Sequence, residues 1–523
     1  MPPPLWHPPI ELSMAERTII KRMRRAKLFV FLRHHRHELF ADPFQHELAT
    51  LYKESPQGSP PVPPAQLALA TILQAYTRVS DDEVIEVTTM DRRWQMVLAC
   101  LDSESAPFSK GTLVAFLQRL IAQQMDRRLL ERTVEVAAAS GAFGSRQLRA
   151  ALDSSPLWGA GRAEDTYNLL GHALRKALGV IARQQGRELP AVANEVGVPL
   201  VSGSSLKAAL DLDWDEPTAR QQALTIVLDA LNAVDHWLAT QHAPVEAEPE
   251  VAASVAVAHQ VCAQDVTLTS DGTPALRQGV AADRRISVED SEMRHGRKSR
   301  SLLIDGYKRH VLRDLDRHLV VAVGVTPANV PEASVTEAIA TDLAAQQRTL
   351  TELHIDRAYL ASTLVQQRSK ELAIFCKAWP VHPGPYFPKS AFHLDWERRE
   401  LQCPGGVVMP FEPGGVVKFP ATTCAGCALR ERCTTSTAGR SVSIHPDEAL
   451  LAELRERQRT PQGRAKLRER VAVEHALAHI GHWQGRRARY RGVRKNVFDL
   501  RRCAVVHNLH VLARLAEPEC QAA

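Results

Sequence analysis

The sequence predicts a mixed α/β domain carrying two inserted segments, joined to an N-terminal all-helical domain. Three observations predict it. Apolar residues recur at helical spacing from about residue 64 to 139. Beyond that point, β-type runs at 147–153, 305–314, 318–327, 351–356 and 372–379 are separated by helical stretches, the pattern of a mixed sheet. Two long segments interrupt it: a helical one after residue 158 and a Pro/Gly-rich one with four cysteines before residue 451. The 523 residues, 45% apolar and 24% charged, have an ordinary globular composition that a prior of ~150 residues per domain divides into roughly three or four domains.

In chain order, residues 1–16 begin Pro-rich and are expected to form a poorly ordered arm. Residues 17–37 hold eight Lys/Arg and no acid, which suits either a DNA-contacting element or an amphipathic helix with a basic face. We take 1–37 together as a basic arm. SPQGSPPVPP at 55–64 reads as a loop. Ser80 with Glu83 has the spacing of a capping box, and Ser109 can cap the helix after it. Short connections make 38–145 a compact helical domain, either a generic bundle or one containing a helix-turn-helix. QLRAALDSSPLW at 147–158 is strand-like up to Asp153, then a Ser-Ser-Pro turn. Residues 159–254 form a helical insertion ending in the linker APVEAEPEVAAS. Residues 305–327 predict an antiparallel hairpin. The sheet domain is therefore 146–158, 255–380 and 451–515, with 381–450 as the second insertion.

Charge is concentrated near the C-terminus. Leu451–Arg502 contains fifteen Lys/Arg and five acids, a net +10 in a chain of net +6, so the remainder sums to −4. Such a surface suits a polyanion, although a solvated helical face has the same composition. No apolar run approaches the ~18 residues of a membrane span, and the N-terminus lacks the order of a signal peptide, so bacterial cytosol is expected.

Three acids lie at informative places: Asp153 and Asp356 at strand ends, and Glu474 on a C-terminal helix. Acids at the carboxyl ends of neighbouring strands, with a third from a packed helix, can hold two divalent ions for in-line phosphoryl displacement. Asp265, Asp271 and Asp283 compete with Asp153 for the first place.

LDSSPLWGAG around Asp153, RHGRKSRSLLIDGYKRHV, HIDRAYLAS around Asp356 and RERVAVEHALAHIGHWQGRRARYRG around Glu474 occur in this order. With them, the sequence resembles the DDE transposases of bacterial insertion sequences over about residues 38–515. The resemblance implies a ribonuclease H-like catalytic domain, a mixed five-stranded sheet with flanking helices. It implies catalytic acids Asp153, Asp356 and Glu474 holding two Mg²⁺, for which Mn²⁺ can substitute. It implies double-stranded DNA as partner, both element ends and target, a homodimer at synapsis, and a nucleoid location. Phosphate contacts are expected from Arg297, Lys298, Lys308, Arg470, Arg486, Arg487, Arg489, Arg491, Arg494 and Lys495. One large branch has Tyr, Arg, Glu and Lys at fixed spacing about the third acid. Here Arg470 fills the Arg place, but Leu467 and Gly481 stand in the Tyr and Lys places. A non-catalytic DNA-binding derivative and a nuclease on the same fold are the alternatives.

Cys403, Cys424, Cys427 and Cys433 lie within the second insertion. Four thiolates can close a tetrahedral zinc site; four ordinary reduced cysteines are the other reading. The remaining cysteines have no partner spacing. The histidines of RHHRH at 33–37 have no second ligand pair nearby.

Overall fold

A six-stranded mixed sheet carries the acid-bearing segments. Its strands are β1 (Gln147–Trp158), β2 (Arg294–Arg297), β3 (Leu303–Asp314), β4 (Val320–Pro327), β5 (Thr349–Ile355) and β6 (Ala373–Cys376). The structure, a computed structural model, describes residues 2–53, 60–101, 103–139, 146–203, 205–240, 249–298, 301–379 and 384–515. Part of the expected 55–64 loop, linker residues 243–248, Arg300 and Cys520 lie outside these. β3 runs antiparallel to β1 and pairs on its other edge with β2 and β4. β5 is parallel to β1, and β6 is parallel to β5.

Two strand expectations need correction. The His-Gly-Arg-Lys block contributes a sixth strand, β2, because β3 extends beyond its pairing with β4 and leaves an edge open. Gly296 permits the close approach: a Cβ there would lie 2.1 Å from the Ala328 carbonyl oxygen. β1 does not turn after Asp153. It continues to Trp158, since β3 pairs with it as far as Gly306. Pro156 is tolerated because the β5 ladder ends at Ala151 opposite His354 and the next bridge on that edge is at Trp158, leaving Pro156 itself paired on one side only.

The helices used below are α1 (Lys27–Leu39), α2 (Pro64–Thr77), α3 (Met125–Ala139), α4 (Thr166–Gln184), α5 (Pro217–Thr240), α6 (Pro249–Asp265), α7 (Val471–Gln484) and α8 (Val493–Leu515). The expected caps form: Ser80 and Glu83 make a reciprocal capping box, and Ser109 accepts from the Thr112 N–H. Residues of the expected basic arm 1–37 pack onto the helices that follow. Trp6 pairs with Gln45 through two hydrogen bonds, and Ser13 caps a short helix, Met14–Arg22. Within α1, Arg33 is buried against Glu16, just outside the acid-free window. Arg36 donates to the Met96 and Val97 carbonyls, and burial lowers its pKa to about 10. The other cations of this segment face outward.

α8 packs against β4 on one side and against α2 and α3 on the other, so the N-terminal helices and the sheet share one core. Its polar residues point inward. Asn508 bonds Thr133 and the Val320 backbone, while Arg502 pairs with Asp499 and Gln74. Asp126 of α3, fully buried, accepts from both Arg494 and Arg501. Asp126→Ala would leave Arg501 with Asp342 and Arg494 with the Ile121 carbonyl, each short of one acceptor at this seam, and stability should fall by about 1–3 kcal/mol. Chemical denaturation measures this; a loss under ~1 kcal/mol would show that the triad does not hold the seam.

The first insertion closes around its own core, including Leu169, Leu174, Ile181, Val227, Val234 and Val261. It runs past the expected boundary at 254. Residues 249–254 are the first turns of α6, whose Val251, Ala258 and Val261 bury against α4. Residues 384–446 form a second lobe of three-residue strands around seven buried apolar residues, among them Phe392, Leu401 and Phe419.

Candidate functional site

Asp153 and Asp356 meet through sheet register. Ala151 lies opposite His354 in the last parallel pair, so two residues onward Asp153 stands opposite Asp356, where the β5 ladder has ended. Asp153 is 7% exposed. Asp356 accepts from the Ala358 N–H and caps the following turn. Burial pushes the Asp356 carboxyl up, and the negative charges of Glu332 and Asp153 add to the rise.

Glu474 joins them from the first turn of α7. The buried face of α7, Val473, Ala476, Leu477, Ile480 and Trp483, packs it against β1 and β3. Glu474 projects from the other side, with its side chain 49% exposed. Arg470, one turn earlier, donates to Asp153 and, at 2.7 Å, to Glu474. The structure thus brings Asp153, Asp356, Arg470 and Glu474 together. It separates the three competitors. Asp265 is buried within the first insertion against Arg284 and Thr166, Asp271 closes a Thr269–Thr273 turn, and Asp283 pairs with Arg294.

A fourth carboxylate, Glu332, was missed by sequence reasoning. It follows β4 in a short turn and is 8% exposed. Lys298 donates to one of its oxygens at 3.1 Å and to Ser154 at 2.6 Å; the other oxygen is buried without a partner. From Ser154 a buried polar chain runs inward through Tyr359 to His310, and the Tyr359 hydroxyl lies 2.8 Å from His310 Nδ1. Burial, then Lys298 and Lys308, lower the His310 pKa to about 3, so the ring is neutral and shares one hydrogen bond with the Tyr359 hydroxyl. His310 Nε2 faces the Thr326 hydroxyl at 3.0 Å.

The Gly-Tyr-Lys block holds the far end of β1. Gly306, at φ 152°, lies where a Cβ would be 2.2 Å from the Gly159 nitrogen. The Tyr307 hydroxyl donates to Asp290 and accepts from the Gly492 N–H. Lys308 is buried and donates to the Val330 carbonyl, and burial lowers its pKa.

Much of the basic block 486–495 is engaged within the protein. Residues 486–488 lie beside the end of β1: Trp158 N–H donates to the Arg486 carbonyl and Ala488 N–H to the Trp158 carbonyl. The Arg487 side chain donates to the Gly159 and Ala160 carbonyls. Arg489 donates to the Val79 carbonyl and reaches Asp81 at 3.4 Å; Arg491 pairs with Glu289, and Arg494 with Asp126. Arg297, Arg486, Arg487, Arg491 and Lys495 are exposed. Arg309 packs against Gly481, the position without the branch's Lys, and donates to Ser155, Gln484 and the Gly485 carbonyl.

The open cationic surface lies elsewhere. A cleft of about 630 Å³ beside Asp356 is lined by Arg357, Lys377, Arg464, Arg468 and Arg470, with Leu467 on its wall. The first four are exposed, and Arg464 also donates to the Arg459 carbonyl. Their signal was proximity: Arg357 adjoins Asp356, and Arg464 and Arg468 precede Arg470. Glu352, His354 and Glu469 also cluster, with ligand-type atoms within 4.8 Å of one another. Arg149 and Lys466 already neutralise them. Although burial opposes it, hydrogen bonds from Lys466 and Arg149 hold Glu352 down to about 2. We read this cluster as an ion-pair network that anchors the loop before α7 to β5.

Two family models match the chain: a Transposase DDE domain over residues 412–513 and a Transposase domain (DUF772) over residues 23–119. Both matched models are transposase domains. Together they indicate a DDE-type transposase of an insertion-sequence family. The first match contains Arg470 and Glu474, and the second spans α1 and α2. No curated protein and no solved structure matches. Among the described residues, no helix is long and apolar enough to cross a membrane.

Proposed function

We propose that the protein binds the ends of an insertion sequence and catalyses DNA cleavage and strand transfer, with Asp153, Asp356 and Glu474 as the metal-holding acids. The observation that carries this reading is the convergence of these acids from two adjacent strands and one packed helix. The strand arrangement supports a ribonuclease H-like assignment: an antiparallel β1–β3–β4 set followed by parallel β5 and β6 on the other side of β1.

The donor set fits divalent cations. Carboxylates of Asp153, Asp356, Glu332 and Glu474 converge with Arg470, Lys298 and Lys308 among them, and burial, then like charge, raises Asp356. Hard carboxylate oxygens suit Mg²⁺, with Mn²⁺ as substitute. Two such ions supply activation of an attacking oxygen and neutralisation of the leaving 3′-oxygen. The chain's own residues do the positioning. Arg470 spaces Asp153 from Glu474, Lys298 fixes Glu332 against Ser154, and the Tyr359–His310 pair braces the floor without carrying charge. Arg357, Lys377, Arg464 and Arg468 receive backbone phosphates beside Asp356, with Arg297, Arg486 and Lys495 as outlying contacts. Two ends brought together require two copies, hence a homodimer in the DNA complex.

The test is supercoiled donor DNA carrying matched terminal repeats, incubated with and without Mg²⁺ or Mn²⁺. Metal-dependent nicking at the repeat ends and joining to target DNA are expected. Specific binding without cleavage under either metal would make the protein a DNA-binding derivative. Cleavage without joining would make it a nuclease.

A further inference from the structure

We propose that Cys403, Cys424, Cys427 and Cys433 hold one structural zinc ion that staples the 384–446 lobe. Three separate segments deliver the sulfurs to a single cavity of about 310 Å³. Cys403 opens the Cys-Pro-Gly-Gly turn between strands Glu400–Gln402 and Val408–Pro410. Cys424 and Cys427 straddle the end of the short helix Ala421–Ala425, and Cys433 follows the turn Arg430–Arg432. The family match contains three of these cysteines and begins after Cys403; the fold brings in the fourth.

The local backbone is shaped around sulfur. In the first turn, Gly406 N–H donates to the Cys403 carbonyl, and Gly406 has φ +86°. A Cβ at Gly405 would stand 3.2 Å from Cys427 Sγ and 3.7 Å from Cys403 Sγ, so this turn presses directly on both thiols. In the second, the Leu429 N–H points at Cys427 Sγ at 3.4 Å, an interaction that orients and stabilises a thiolate ligand.

Softness selects the ion: four sulfur donors from a closed set of turns suit tetrahedral Zn²⁺, not the oxygen-seeking Mg²⁺. No three of the four sulfurs lie within 4.8 Å of one another, so a closed tetrahedral site requires the turns to move closer. The lobe has reason to need this, since its strands are three residues long and its core holds seven buried apolar side chains. Units with so little apolar burial are usually stapled by metal or disulfide. Lys389 ties the lobe to Glu448, at the start of the helical segment leading to α7. The proposal does not depend on the DNA chemistry proposed above.

The test uses the full chain, made in zinc-supplemented medium and purified under reducing conditions. Elemental analysis should find about one zinc per chain, in keeping with one closed four-thiolate site. Replacement by Co²⁺ should give the visible absorption and sulfur-to-metal charge transfer of a tetrahedral thiolate site. Cys403→Ser should lower that charge-transfer intensity by about a quarter, one thiolate in four. Zinc well below one per chain, iron in its place, or a cobalt spectrum untouched by Cys403→Ser would overturn the proposal. If Cys403→Ser does not fold, the metal content and cobalt spectrum of the unaltered protein decide.

Discussion

Asp356→Asn should reduce donor cleavage to below about 1% of the unaltered protein, because two-metal phosphoryl transfer depends on ions that this carboxylate would help to hold. Binding to end DNA should stay within about twofold, since the substitution removes no phosphate contact. Asparagine keeps the shape and can still accept from the Ala358 N–H, so the turn after β5 survives. The metal-free fold offers an internal control. Burial and the charges of Glu332 and Asp153 raise the Asp356 carboxyl in the folded state. A raised acid weakens folding as pH rises from its unfolded pKa through its folded pKa, and the cost persists above that. In chelator at neutral pH the Asn variant should therefore melt no lower than the parent. Cleavage above ~1% in a folded variant would remove Asp356 from the metal-holding set.

Replacing Arg357, Lys377, Arg464 and Arg468 together by Ala should flatten the log–log salt dependence of duplex binding by roughly three to four units, at ~0.9 for each lost phosphate contact. Specific and unspecific DNA should be affected alike. Arg487, Arg489 and Arg491 replaced together should change the slope by less than ~1. That triple variant should instead melt lower, because Arg487 and Arg489 hold backbone carbonyls and Arg491 holds Glu289. The opposite ranking of slopes would move the DNA track to residues 486–495.

These two variants mark where sequence reasoning reached and where it stopped. Asp356 was legible because its environment is local: a β-type run, then an acid, then a tight turn. Asp153 was legible as a residue but not as a strand position, since only pairing with β3 shows that β1 continues through Pro156. The net charge of 451–502 was countable, yet counting cannot say which arginines face solvent. Arg494 and Arg501 converge on Asp126, some 370 residues earlier. Arg33 likewise finds Glu16, so the acid-free window at 17–37 suggested a freer surface than the fold provides. Glu332 had no local pattern at all, because its place beside Asp356 is created by the turn after β4. The insertion boundary at 254 was misplaced for a related reason: residues 249–254 of a stretch that looks like a linker form the first turns of α6, where Val251 is buried.

The central position of α8 bears on how the chain acquires its structure. It lies C-terminal to every element it joins, and Asn508 reaches Thr133 across 375 residues. Contacts of such sequence separation form late, after the local helices and hairpins. During synthesis the N-terminal helices and the sheet therefore wait as separate apolar surfaces until residues 493–515 emerge. A chain terminated before α8 would lack the element that seats one layer on the other, and it would expose the face of β4 that α8 covers. The core therefore closes only once residues 493–515 are in place, and a chain cut short before α8 should be degraded faster by protease than the full chain.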